Sequence, residues 1–129
     1  MSPRSTGPTL GMRQAAYDRD NRRCRRCGTA RGPHSLHHRQ NRGMGGSRQV
    51  NTLSRLVVLC GTGTTGCHGW ITEHPAEAYA TGWLIRKLSP DDPEQIPLVT
   101  VYGERFFLLH SGGVTTLSTT PDPWTEAHS

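Results

Sequence analysis

The chain predicts a small α+β domain held together by metal, on three observations. Only 33% of its 129 residues are hydrophobic, and it carries 15 glycines and 9 prolines, too little apolar material for a large core. Four cysteines fall in two pairs, Cys24/Cys27 and Cys60/Cys67. Short β-type runs alternate with short helical runs along the chain.

The elements follow in order. Residues 1–9 read as a flexible tail. A helix is expected from Leu10 to about Asn21, with Ala15, Ala16 and Tyr17 available for packing. Cys24-Arg25-Arg26-Cys27-Gly28 is a CxxC turn with glycine just after it, as a zinc knuckle requires. Ser35 to Gln40 suits a short strand. A glycine-rich loop, Arg42 to Arg48, follows. Leu56-Val57-Val58-Leu59 is a buried strand that ends at Cys60. Gly61 to Gly66 form a loop. Cys67-His68 opens a helix to about Glu73, and Pro75 starts another that Gly82 ends. Residues 10–88 thus make the main domain. Ser89 to Pro97 reads as an acidic linker. Leu98–Val101 and Arg105–Leu109 read as a hairpin around Tyr102-Gly103-Glu104, and Val114–Leu117 as a third strand, so that 89–118 is an appended extension. Residues 119–129 are expected to be disordered.

Charge is unevenly spread. Residues 1–70 hold 12 arginines against 2 aspartates; residues 71–129 hold 3 basic against 8 acidic side chains. Arginine outnumbers lysine 14 to 1, and its planar fork suits phosphate. The basic half contains every cysteine, so nucleic acid is the expected partner. No apolar run is long enough to span a membrane, and no secretory signal is apparent. A cytoplasmic setting follows, in which paired cysteines bind metal more often than they form disulfides.

Four thiolates from Cys24, Cys27, Cys60 and Cys67 can close a tetrahedral zinc site with no open position, a structural centre. The histidines suggest a second site. His37 and His38 are adjacent, so on a strand their rings face opposite ways. A division of labour is natural: one ring binds a cation while the other takes a proton from water. His68 follows a metal-type cysteine directly, and the zinc centre would bring it near the pair. His74 lies about 240° around the helix from His68 and off that face; Thr72, one turn on, is a weak ligand candidate.

The stretch Leu36-His37-His38-Arg39-Gln40-Asn41-Arg42-Gly43-Met44-Gly45-Gly46-Ser47, with Leu56 to Trp70, resembles the HNH endonuclease family. It is particularly similar to the small HNH proteins of actinobacterial phages and prophages, over roughly residues 10–88. The resemblance implies a ββα-metal, treble-clef-like core, extended here by the N-terminal helix and C-terminal hairpin. It implies His37 and His68 as ligands of the catalytic ion and His38 as general base. The family's central asparagine is replaced by Arg55, and the nearest asparagine is Asn51, four residues earlier; either is a candidate for that role. Arg39, Arg42 and Arg48 flank the glycine loop and are expected to grip the DNA backbone, which sets register, not sequence.

The function expected is a metal-dependent DNA endonuclease of low sequence specificity, with activity that falls as salt rises. Zinc would be structural, and magnesium, manganese or nickel catalytic. By resemblance the context is phage genome packaging in the host cytoplasm, beside terminase and portal proteins. The competing expectation is a zinc-dependent nucleic-acid-binding module without chemistry. Oligomeric state is not legible from the sequence.

Overall fold

A computed structural model describes residues 8–40 and 52–116. The expectations for the two tails, for the glycine loop and for Asn51, Arg42 and Arg48 fall outside or largely outside those residues. The architecture is α+β, with three short helices and two small sheets among the described residues.

Helix α1 spans Leu10–Arg19 and is capped by Thr9, whose side chain accepts from the Met12 amide at 3.1 Å. It stops two residues earlier than expected. Asn21 and Arg22 both adopt left-handed backbone (φ 56° and 54°), which turns the chain back toward the cysteines. The turn is anchored by Asp20, a buried carboxylate. Arg19 grips it with two nitrogens at 2.8 and 2.9 Å, Arg25 adds a third at 2.6 Å, and the Val58 amide a fourth bond at 3.0 Å. A buried charge is tolerable only when paired and hydrogen-bonded to this degree.

Strand β1 (His34–His38) pairs antiparallel with β2 (Leu56–Cys60), setting His37 opposite Val57 and His38 opposite Leu56. The β1 strand begins one residue sooner and ends two sooner than expected. Arg39 leaves the ladder but still donates its amide to Arg55 O at 2.8 Å. Four of five β2 residues are buried, as its unbroken apolar run predicts. Helix α2 (Gly66–Glu73) packs against β2, and α3 (Pro75–Ala80) follows after a single residue. Gly69 of α2 has no room for a Cβ, because the Thr64 backbone lies directly against it; this contact folds the Thr-rich loop onto the helix.

The C-terminal segment is more integrated than the sequence suggests. Strands β3 (Leu98–Val99), β4 (Arg105–Leu108) and β5 (Val114–Thr116) form one antiparallel sheet in that order. Leu98, Phe106 and Leu108 share a single core with Cys24, Val57, Leu59, Cys67, Ile71 and Trp83. The supposed linker holds a 3₁₀ turn, Pro93–Gln95, with Pro93 buried. The acidic, proline-bearing composition predicts a spacer; the segment instead leads into β3 and β4, whose apolar side chains complete the core.

Arg39 explains how. It is 0% exposed, and its guanidinium donates to four backbone carbonyls: Gly82 O at 2.9 Å, Ser54 O at 2.7 Å, Pro93 O at 3.4 Å and Ile96 O at 3.0 Å. Burial pulls its pKa down to about 9, helped by the nearby Arg19 and Arg55. The expectation that Arg39 grips DNA is therefore corrected. Its donors are spent on the chain's own carbonyls, binding residues 82–96 to the β-hairpin core.

Candidate functional site

The cysteine turn, the end of β2 and the first turn of α2 bring four sulfurs together. Cys24, Cys27, Cys60 and Cys67 place their sulfurs within 4.8 Å of one another, all as free cysteines. Cys27 Sγ and Cys60 Sγ are 3.8 Å apart. A tetrahedral zinc with Zn–S bonds of about 2.3 Å separates its sulfurs by about 3.8 Å, so the donor set fits that ion. Several hydrogen-bond donors face the sulfurs. The Cys27 amide donates to Cys24 Sγ and the Cys67 amide to Cys60 Sγ, each at 3.4 Å. Arg26 donates to Cys67 Sγ at 3.3 Å. The Cys67 thiol, bonding to Cys24, holds the Cys24 pKa down at about 4, against the opposing effect of burial. The same bond, with burial, pushes Cys67 up, and burial raises Cys27. One thiolate forms easily and the next is opposed by its charge, which is the situation a bound cation relieves.

The histidines meet beside the start of α2. His37, His38 and His68 line one cleft of about 400 Å³, walled by Leu36, Ile71, Thr72, Pro75 and Leu84. The His37 and His68 rings are 5.0 Å apart and nearly edge-to-face. His37 is buried, and its Nε2 lies 2.7 Å from Trp83 O. A carbonyl only accepts, so Nε2 carries the proton and Nδ1 is the donor atom left for a cation. Ser35 donates its hydroxyl proton to Gly61 O at 2.8 Å and so accepts from His68 Nδ1 at 2.7 Å, leaving His68 Nε2 as the lone pair. Burial holds the His37 pKa at about 3, against the bond to Trp83, and lowers that of His68 as well. Both rings are thus neutral at physiological pH, the state in which imidazole ligates metal. Their orienting partners, Ser35 and the Trp83 carbonyl, were not foreseen from sequence. Only the i−2 position of Ser35 on the histidine strand hinted at a shared face.

The remaining candidates sit elsewhere. Arg55, which the sequence offers for the central-asparagine role, is not among the residues lining the cleft. Its Nε donates to Gln40 Oε1 and its Nη1 to Thr52 Oγ1, both at 2.8 Å, fastening the end of the histidine strand to the entry of β2. Its side chain borders a separate depression with Asp92 and His110. Thr72 does reach the cleft, but its hydroxyl donates to Gly63 O at 3.1 Å. His74 stacks on Trp70 and lies outside it. Asp92, Glu94 and His110 form another group of metal-type donors, already engaged: His110 is 3.0 Å from Asp92 and 2.6 Å from Ser54 Oγ. A further groove, about 930 Å³ between the Asp20–Gly28 turn and the C-terminal sheet, contains none of the cleft histidines.

No helix among the described residues is long and apolar enough to cross a membrane. Comparison with protein-family models, curated proteins and solved structures finds no match for this chain.

Proposed function

We propose that this chain is a metal-dependent DNA endonuclease of the HNH type. What supports the reading is the convergence of His37, His38 and His68 on one cleft, with two of the rings fixed as neutral donors. A two-stranded antiparallel hairpin followed by a helix carries all three, the arrangement the ββα-metal resemblance implies.

His37 through Nδ1 and His68 through Nε2 are the residues that would hold a catalytic ion. A divalent cation there would supply Lewis-acid stabilisation of the charge that develops on phosphate and leaving oxygen. With two imidazoles as donors, magnesium, manganese and nickel are all admissible. His38 takes a proton from the attacking water as general base. Trp83 O and Ser35 keep the other two rings in the tautomers required, as outer partners of ligating histidines do. Cys24, Cys27, Cys60 and Cys67 would hold a zinc ion that braces the helix presenting His68. The basic half of the chain supplies the attraction for DNA, and phage genome packaging, beside terminase and portal proteins, is the context the resemblance suggests.

Nicking of supercoiled plasmid in magnesium, manganese or nickel, with and without EDTA, tests the reading. Cleavage should require the added ion and fall by about 10²–10⁴-fold in His38→Ala, with unchanged circular dichroism and zinc content. DNA binding without cleavage under every ion would replace the reading with a zinc-dependent binding module. A His38→Ala protein that cuts at the normal rate would remove the general-base assignment.

A further inference from the structure

We infer that Arg26 is a positioning residue for the four-cysteine metal centre, donating to Cys67 Sγ while lying over Trp70 and so clamping the cysteine turn to helix α2. This rests on metal occupying the cysteines and is independent of any nuclease activity.

A divalent ion held by four thiolates keeps a net double negative charge, and donors to the sulfurs decide how well the protein carries it. Cys24 and Cys60 receive backbone amides at 3.4 Å. Cys67 receives a full positive charge, from Arg26 Nη1 at 3.3 Å. Hydrogen bonds with one ionised partner are roughly twice as strong as neutral ones.

The guanidinium is held in place on several sides. Its carbon sits 3.7 Å from the centroid of the Trp70 ring, inside cation–π range. His74 also stacks on Trp70, 5.2 Å away and nearly parallel. Backbone completes the fixture, since Arg26 O accepts from the Val101 amide at 3.0 Å. The neighbouring arginines are committed differently. Arg25 turns to Asp20 at 2.6 Å, and Arg23 reaches Gly28 O at 3.3 Å. Of the three, it is Arg26 that faces a sulfur. Cys67 and His68 are consecutive, so whatever steadies Cys67 also steadies the start of the helix that carries the cleft histidine.

The test is metal retention in the full chain, loaded with zinc and separately with cobalt. Competition against a chromophoric chelator should show Arg26→Ala losing about 10–100-fold in zinc affinity, with Arg26→Lys losing less because charge survives while the planar fork does not. Arg23→Ala should match the wild type. The cobalt–thiolate charge-transfer band should shift in both Arg26 variants, a change that general loosening of the fold does not produce. Should Arg26→Ala not fold, Arg26→Lys carries the test through its band position and chelator competition. Affinity within about twofold of wild type and an unmoved band would overturn the inference. A wild-type chain that binds neither ion at the cysteines would overturn the metal-centre reading first, and this inference with it.

Discussion

The cysteine centre and the histidine cleft lie on consecutive residues of one helix, Cys67 and His68, yet they are built in opposite ways. The cysteine centre brings four donors of one kind to within 4.8 Å and closes on itself. The cleft sets three imidazoles around about 400 Å³ of open space, two of them, His37 and His68, neutral and locked by an outer partner. A closed four-donor set uses binding energy to hold the fold together, whereas a set with fewer donors than the ion takes leaves positions open for water or substrate. One helix turn therefore joins a site suited to stability to one suited to chemistry, and the contrast is open to test by breaking each in turn.

The largest effect should come from the closed site. Cys24→Ser removes a buried ligand at the centre of the core, where Cys24 is 2% exposed. Structural zinc sites are worth about 10–16 kcal/mol of apparent binding free energy, most of which is folding free energy. The variant should lose zinc by mass spectrometry and its cooperative thermal transition together. His68→Ala, by contrast, should keep both. If Cys24→Ser melts as the wild type does, the cysteine centre is not what holds this fold.

Next in size is the buried guanidinium beneath the cleft strand. Arg39→Met keeps length and loses every donor, stranding carbonyls of Ser54, Gly82, Pro93 and Ile96. Leaving a buried carbonyl without a donor costs about 1–3 kcal/mol, so the variant should lose several kcal/mol in a denaturant titration. A phosphate-gripping residue behaves otherwise: its loss leaves stability alone and lowers the salt dependence of DNA binding. Unchanged stability with a shallower salt slope would return Arg39 to the DNA-contact role expected from the sequence.

These two sites also show what the sequence made legible. Cysteines and histidines announce themselves because few other residues do their chemistry, and the apolar run of β2 with the glycine-rich loop after it places Cys60, Cys67 and His68. Arg39 did not announce itself. Beside a glycine loop in a basic half, an arginine reads as a surface cation, and nothing local reveals that carbonyls 43 and 57 residues downstream will surround it. Asp20 was hidden in the same way, its partners spread over Arg19, Arg25 and Val58. The long-range share of the core, Leu98 with Phe106 and Leu108, was obscured by strands only two to four residues long. The pairing of His68 with Ser35 likewise depends on strand register, which a single sequence does not display.

The smallest effect separates the two sites by pH. His37 titrates near 3 in the folded chain because burial disfavours its charged form, against an ordinary value of 6.5. Between those values the unfolded chain binds a proton that the folded chain does not, so stability rises with pH through the window and is lost on acidification from about 6.5 downward. Each pH unit well inside the window is worth about 1.4 kcal/mol for one such group. His68, lowered by burial too, adds in the same direction. Zinc-loaded protein should therefore lose about 1 kcal/mol between pH 6.5 and 5.5 from His37, read from urea midpoints. In His37→Gln the amide still donates to Trp83 O but no longer titrates, and the slope should shrink by one proton. Equal slopes in the two proteins would assign the acid sensitivity to the thiolates of the closed centre and leave the cleft without a protonation-linked contribution to folding.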